Sequence, residues 1–122
     1  MIEGRLDNEG NKLFFEIGLV AVDEEIIPVE ALLDTGFTDW LAINTQDLES
    51  LGWLCLDDEL PMATAQGEAE FNVYVGTVQI DGQEFQVPVL GGDSINEILL
   101  GMRWLKTRRL VVDFLAGVLT LG

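Results

Sequence analysis

Leu32-Leu33-Asp34-Thr35-Gly36 is the stretch on which the reading of this chain turns. Two leucines close an apolar strand, Asp-Thr-Gly makes a tight turn, and the apolar run Trp40-Leu41-Ala42-Ile43 follows. The chain has 122 residues with no histidine and one cysteine, which rules out most familiar catalytic constellations. What remains is carboxylate chemistry. Gly36 lets the backbone turn closely enough for its amide to support the Asp34 carboxylate, and Thr35 brings a hydroxyl that can bond to backbone.

Outward from the motif, the apolar runs are short and rich in Val, Ile, Leu and Phe, with Gly, Asp and Asn between them, which is an all-β rhythm. Leu13 to Val22 reads as a first strand, turned by Asp23-Glu24-Glu25. Ile26 to Leu33 reads as the second, with Pro28 marking an edge or a bulge. This hairpin delivers Asp34 at its exit. After Trp40 to Ile43, Asn44 or Thr45 caps a short helix that ends at Gly52, with Leu48 and Leu51 facing the core. Trp53 to Leu56 reads as a strand and Asp57-Asp58-Glu59 as an exposed acidic turn. Phe71 to Ile80 alternates, Asp81-Gly82 is a two-residue hairpin signal, and Phe85 to Leu90 returns. Gly91 to Ser94 reads as a loop. Glu97 to Leu100 is a short strand, Gly101 to Thr107 forms one or two helical turns with Trp104 and Leu105 as the apolar side, and Leu110 to Phe114 pairs through Ala116-Gly117 with Val118 to Leu121. The expectation is one domain over residues 1–122, a closed β-barrel with one or two short helices.

Composition narrows the partners. The chain is 48% hydrophobic, enough for a real core. Its 22 acidic residues against 6 basic ones give a net charge of −16, which disfavours nucleic acid and anionic membrane, both polyanions. Such a chain repels copies of itself, so self-association is expected to strengthen with salt or mild acid. Cys55 is the only cysteine, which excludes an intrachain disulfide, and its apolar neighbours predict a buried thiol. No signal-like opening and no run of 18 apolar residues is present, so a cytoplasmic protein is expected.

Hydrolysing a peptide with carboxylates alone requires two of them sharing one proton, because two like charges about 3 Å apart cannot both ionise. One member takes a proton from a water and the other polarises the carbonyl. Only one Asp-Thr-Gly occurs, so a homodimer with one Asp from each copy is the natural inference. A second element, Ile98-Leu99-Leu100-Gly101 followed by a helical segment, can pack under the Asp34 turn.

With both motifs in this order, the chain resembles the retropepsin-like aspartic proteases, a clan that includes retroviral proteases and small bacterial relatives. The resemblance runs roughly from Leu13 to Phe114. It implies an acid-protease-like barrel, a homodimer acting on peptide or protein substrates, and no metal or organic cofactor. It implies that Asp34 is the catalytic residue. Thr35 would interlock the two active-site loops, and the carbonyl of Gly36 would contact the substrate backbone. Leu33, Leu99, Leu100 and Gly101 would support the site. Met62 to Glu68 resembles a flap hairpin, with Met62, Ala63, Thr64, Ala65, Gln66 and Gly67 toward substrate.

Three departures stand out. Met102 follows the second-motif glycine where retroviral members carry an Arg, and Arg103 could pair with Asp39 instead. Ala116 to Gly122 continues past the strand that ends retroviral chains and interleaves with its partner. The flap carries only Gly67. These departures motivate a rival reading, a non-catalytic peptide-binding or interaction module on the same barrel. Trp53 and Trp104 are expected in the core, with Trp40, just after the motif, as the one to watch for a substrate pocket. Asp113 is expected to face outward or to pair with Arg108 or Arg109, and it lacks the turn and glycine of a second catalytic Asp.

Overall fold

The computed structural model describes residues 1–7, 9, 11–64 and 67–122, with side chains outside 57–70. In β3 (Lys12–Val20) the alternating residues Phe15, Ile17 and Leu19 are buried while Glu16 faces solvent. This strand pairs antiparallel with β4 (Ile26–Leu33), from Phe14 opposite Leu32 to Val20 opposite Ile26. Pro28 sits opposite Gly18, where among the described residues no other strand is paired to the far side of β4 and a missing N–H costs nothing.

After the Asp34 turn comes β5 (Leu41–Asn44), then α1 (Thr45–Leu51). The Asn44 side chain accepts from the Gln46 N–H at 2.9 Å and caps the helix. Gly52, in the left-handed region at φ 75°, ends it, and Leu48 and Leu51 are buried as the spacing predicts. Two long strands follow, β6 (Leu54–Thr64) and β7 (Gly67–Ile80), then β8 (Gln83–Gly92). Asp81 and Gly82 both take positive φ, 54° and 75°, as a two-residue hairpin turn between β7 and β8 requires.

The short β9 (Leu99–Leu100) leads into a 3₁₀ turn, Met102–Lys106, and the chain ends in β10 (Leu110–Asp113) and β11 (Val118–Leu121). At the start, β1 (Ile2–Glu3) pairs with β11 and β2 (Arg5–Asp7) with β3. The larger sheet runs β2-β3-β4-β9-β5-β8-β7-β6, and pairing of β3 with β7 (Leu19 opposite Val78) closes its middle into a ring. A smaller sheet of order β1-β11-β10 lies beside it. Phe15, Leu41, Ile43, Ile80, Val89, Leu100 and Trp104 fill the interior. Among the described residues no helix is long and apolar enough to cross a membrane.

Several local expectations are corrected. Asp57 to Glu59 lies within β6 rather than in a turn, and the pairing with β7 shifts register on both sides of Asp57. Cys55 is exposed rather than buried, because this part of β6 stands off the core and leaves Leu54 and Leu56 exposed as well. Gly91 and Gly92 belong to β8 rather than a loop: a side chain at Gly91 would meet Leu48 Cδ1 at 2.4 Å and Tyr74 Cε1 at 2.8 Å. Of the two helical segments, one is α and the other 3₁₀.

Candidate active site

Asp34 leaves the core at the end of β4. Its position is set by β9, which lies between the strand entering the turn and the strand leaving it. β9 runs parallel to β4 (Leu32 opposite Leu99, Leu33 opposite Leu100) and antiparallel to β5 (Leu41 opposite Leu100). The Leu32 N–H donates to Ile98 O at 2.8 Å and the Asp34 N–H to Leu100 O at 2.9 Å, so the residue is tied down by its own backbone. Leu33 and Leu100 are buried beneath it.

Within the turn, the Gly36 N–H donates to Asp34 Oδ1 at 2.9 Å and the Phe37 N–H to Asp34 O at 3.1 Å. One carboxylate oxygen is therefore oriented by a charge-assisted bond. Asp34 is half-buried and Thr35 is exposed beside it. The rest of the loop rests on the second motif. The Gly101 N–H donates to Trp40 O at 3.0 Å, the Met102 N–H to Phe37 O at 2.8 Å, and the Arg103 N–H to Asp39 O at 3.3 Å. A Cβ at Gly101 would lie 1.8 Å from Asp39 O and 3.0 Å from Phe37 Cδ2, so only glycine lets the loop come this close.

Trp104 is buried under the loop. Its indole N–H donates to Trp40 O at 2.7 Å and its ring meets Trp40 edge-on at 4.9 Å. Trp40 is only partly buried, and the Arg103 guanidinium lies over its ring, 5.8 Å from the centroid, rather than pairing with Asp39. An open recess of about 530 Å³ separates Thr35, Thr38 and Asp39 from Met102, Arg103, Leu105 and Lys106.

The structure thus brings Leu33, Asp34, Thr35, Gly36, Leu99, Leu100 and Gly101 together in one knot. Met62, Ala63 and Thr64 oppose Ala69, Glu68 and Gly67 at the far end of the β6–β7 ladder. Ala65 and Gln66 lie outside the described residues. Asp113 is exposed and accepts the Ala116 N–H at 3.1 Å, which makes it a turn residue. Among the described residues no three His, Cys, Asp or Glu side chains gather as metal ligands. Sequence reading missed Phe37 and Thr38 as parts of the site, since nothing in their identity announces a loop folded against Gly101.

The family model described as "gag-polyprotein putative aspartyl protease" matches residues 20–107, which spans both motifs. The chain belongs to this family. As a retropepsin-like aspartic protease domain by fold, it is similar to the EIAV protease complexed with the inhibitor HBY-793, with 20% identity, 82% of this chain and 90% of that one covered, and a TM-score of 0.65. It is similar to a retropepsin-like aspartic protease from Rickettsia conorii, at 21% identity over 99% of this chain and 87% of that one, TM-score 0.58. The simian foamy virus (mac) protease matches at 22% identity over 80% of this chain and 99% of that one, TM-score 0.53. No curated protein sequence gives a significant match.

Proposed function

We propose that residues 1–122 form one protease domain, two copies of which make a single aspartic endopeptidase with Asp34 from each copy at its centre. The observation that carries this reading is the Asp34 turn itself: a half-buried carboxylate, fixed by the Gly36 amide and by β9, with an exposed hydroxyl beside it and only one such motif in the chain. Two of these carboxylates brought face to face share a proton, and the two ionisations belong to the pair. The ionised one takes a proton from a bound water as its oxygen attacks the peptide carbonyl. The protonated one donates to the carbonyl oxygen, giving a tetrahedral diol. Its collapse breaks the C–N bond as the leaving nitrogen takes a proton from one carboxyl and a diol hydroxyl gives one back to the other, which leaves the carboxylic acid product and restores the shared proton.

The substrate lies extended, as an added strand between the barrel and the hairpin that carries Met62 to Gly67. That hairpin acts as the flap, excluding water and ordering the peptide. Thr35 braces the loop of the other copy, and Gly36 meets the substrate backbone.

The test is cleavage of a mixed peptide library between pH 4 and 7, with Asp34→Asn in parallel. Wild-type protein is expected to cut, and the variant to lose all measurable cleavage while keeping its circular dichroism spectrum; loss of proton-transfer catalysis alone is worth roughly 10²–10⁴-fold. Retained cleavage in the variant removes Asp34 from the mechanism. Met102 in the place of the retroviral Arg favours the rival, a peptide-binding module that does not cut, and peptide binding without cleavage by a dimeric wild type would select it.

A further inference from the structure

The larger sheet ends at β6, whose inner edge pairs with β7 from Leu54 opposite Val75 to Thr64 opposite Gly67. Among the described residues no strand lies on its outer edge. The root of this strand is tied to the barrel. The Trp53 indole N–H donates to Val20 O at 2.8 Å, and its ring covers Gly76, where a Cβ would lie 2.5 Å from it. The open edge therefore starts from a fixed point.

Its first residues are apolar and face water. Leu54 is 68% and Leu56 57% exposed, with Cys55 exposed between them. Val22, 75% exposed, joins them: its N–H donates to Leu51 O at 3.0 Å, and its side chain fills the space over Gly52. An apolar patch on an open strand edge is a template for an added strand. Both apolar segments run straight into acid, Val22 into Asp23-Glu24-Glu25 and Leu54-Cys55-Leu56 into Asp57-Asp58-Glu59. No Lys or Arg stands between Lys12 and Arg103 in the sequence. Two copies meeting at this edge would set acid against acid, as would any other acidic chain. Charge on an edge ordinarily deters pairing. Here it deters every strand except a basic one.

We propose that the outer edge of β6, from Leu54 to Glu59, docks an extended basic segment of another protein, added antiparallel as one further strand. Antiparallel addition sets the amino-terminal end of the incoming segment beside Asp57, Asp58 and Glu59, and its later residues beside Leu54. The segment recognised here is therefore basic first and then alternates apolar with polar residues, the apolar ones meeting Leu54 and Leu56. Backbone pairing supplies the general attraction, and the acidic run rejects partners of the wrong charge. The edge shares no residue with the Asp34 turn, so it binds whether or not the chain cuts peptide.

The test uses the full chain carrying Asp34→Asn, so that no peptide is consumed. It is titrated with the peptide Lys-Arg-Lys-Val-Thr-Val-Thr while the amide NMR signals are followed. Binding is expected to shift the signals of Val22 and of residues 53–56, and to weaken as salt rises. Replacing both exposed leucines, Leu54→Ser with Leu56→Ser, is expected to raise the dissociation constant about tenfold, a loss of 1.4 kcal/mol, with an unchanged circular dichroism spectrum. The reversed peptide, Thr-Val-Thr-Val-Lys-Arg-Lys, is expected to bind more weakly. Absence of binding overturns the proposal, as does a reversed peptide that binds equally well, or a folded double variant that binds as tightly as its parent. Shifts confined to residues 34–37 defeat the docking edge and leave the protease reading standing. Shifts at residues 53–56, with a wild-type protein that never cuts peptide, do the reverse.

Discussion

At Gly101 the packing of a single residue decides whether the site exists. The carbonyl of Asp39 occupies the space where any other residue keeps its Cβ. Gly101→Ala must therefore push the Phe37–Trp40 loop outward, which strains the three backbone bonds that hold it on the second motif. The expected cost is about 1–3 kcal/mol, read as a lower midpoint in urea. Cleavage is expected to fall further than stability does, because the displaced loop adjoins the Asp34 turn, whose carbonyl accepts the Phe37 N–H. A variant with unchanged stability and activity would show that the loop does not depend on this contact. Asp34, Gly36 and Gly101 were legible from sequence because a turn, an acid and a glycine form a pattern. Phe37 and Thr38 were not, because their roles come from a partner segment far along the chain. Cys55 misled because apolar neighbours imply burial only where a strand faces the core, and this one does not.

Among elements, those with local signals were read well: the β3–β4 hairpin, the Asn44 cap and Gly52 stop of α1, the Asp81-Gly82 turn and the final hairpin. β1 and β2 went unread because they are two and three residues long and exist only through partners, β11 and β3. β2 is further tied by a bidentate pair. Arg5 Nη2 and Nε donate to Glu30 Oε1 and Oε2 on β4, at 2.6 and 3.1 Å, with the guanidinium also over the Phe14 ring. The hydrogen bond from Arg5 holds the Glu30 carboxyl below the usual glutamate range. A carboxyl depressed in the folded state contributes stability above its unfolded pKa and loses it as pH falls through the folded value. The stability difference between wild type and Arg5→Met is therefore expected to be full at neutral pH and to vanish in acid. Carboxyl titration by NMR is expected to show Glu30 moving upward in the variant. A Glu30 midpoint that stays put in Arg5→Met would mean that the pair is not formed in solution.

For the whole molecule, the balance that matters is charge against contact. Each copy carries −16, and two copies brought together concentrate that charge. Acid-rich surfaces more than a Debye length apart, about 10 Å at 0.1 M salt, are screened, and at 1 M the length shrinks to about 3 Å. Salt therefore relieves most of the repulsion between copies. It also weakens any ion pair formed between copies, but exposed ion pairs contribute only about 0.2–1 kcal/mol each. Apolar contact and backbone pairing between copies do not depend on salt in this way. Repulsion summed over two strongly acidic bodies is the larger effect, so association is expected to tighten as salt rises. It is expected to tighten again as mild acid begins to protonate exposed carboxylates. Sedimentation at low and high salt, repeated at neutral and mildly acidic pH, measures the balance directly. Tighter association at high salt matches an interface held by apolar contact and strand pairing. Weaker association would mean that ion pairs hold the copies together, and the interface would then have to be sought where acidic residues meet Arg or Lys.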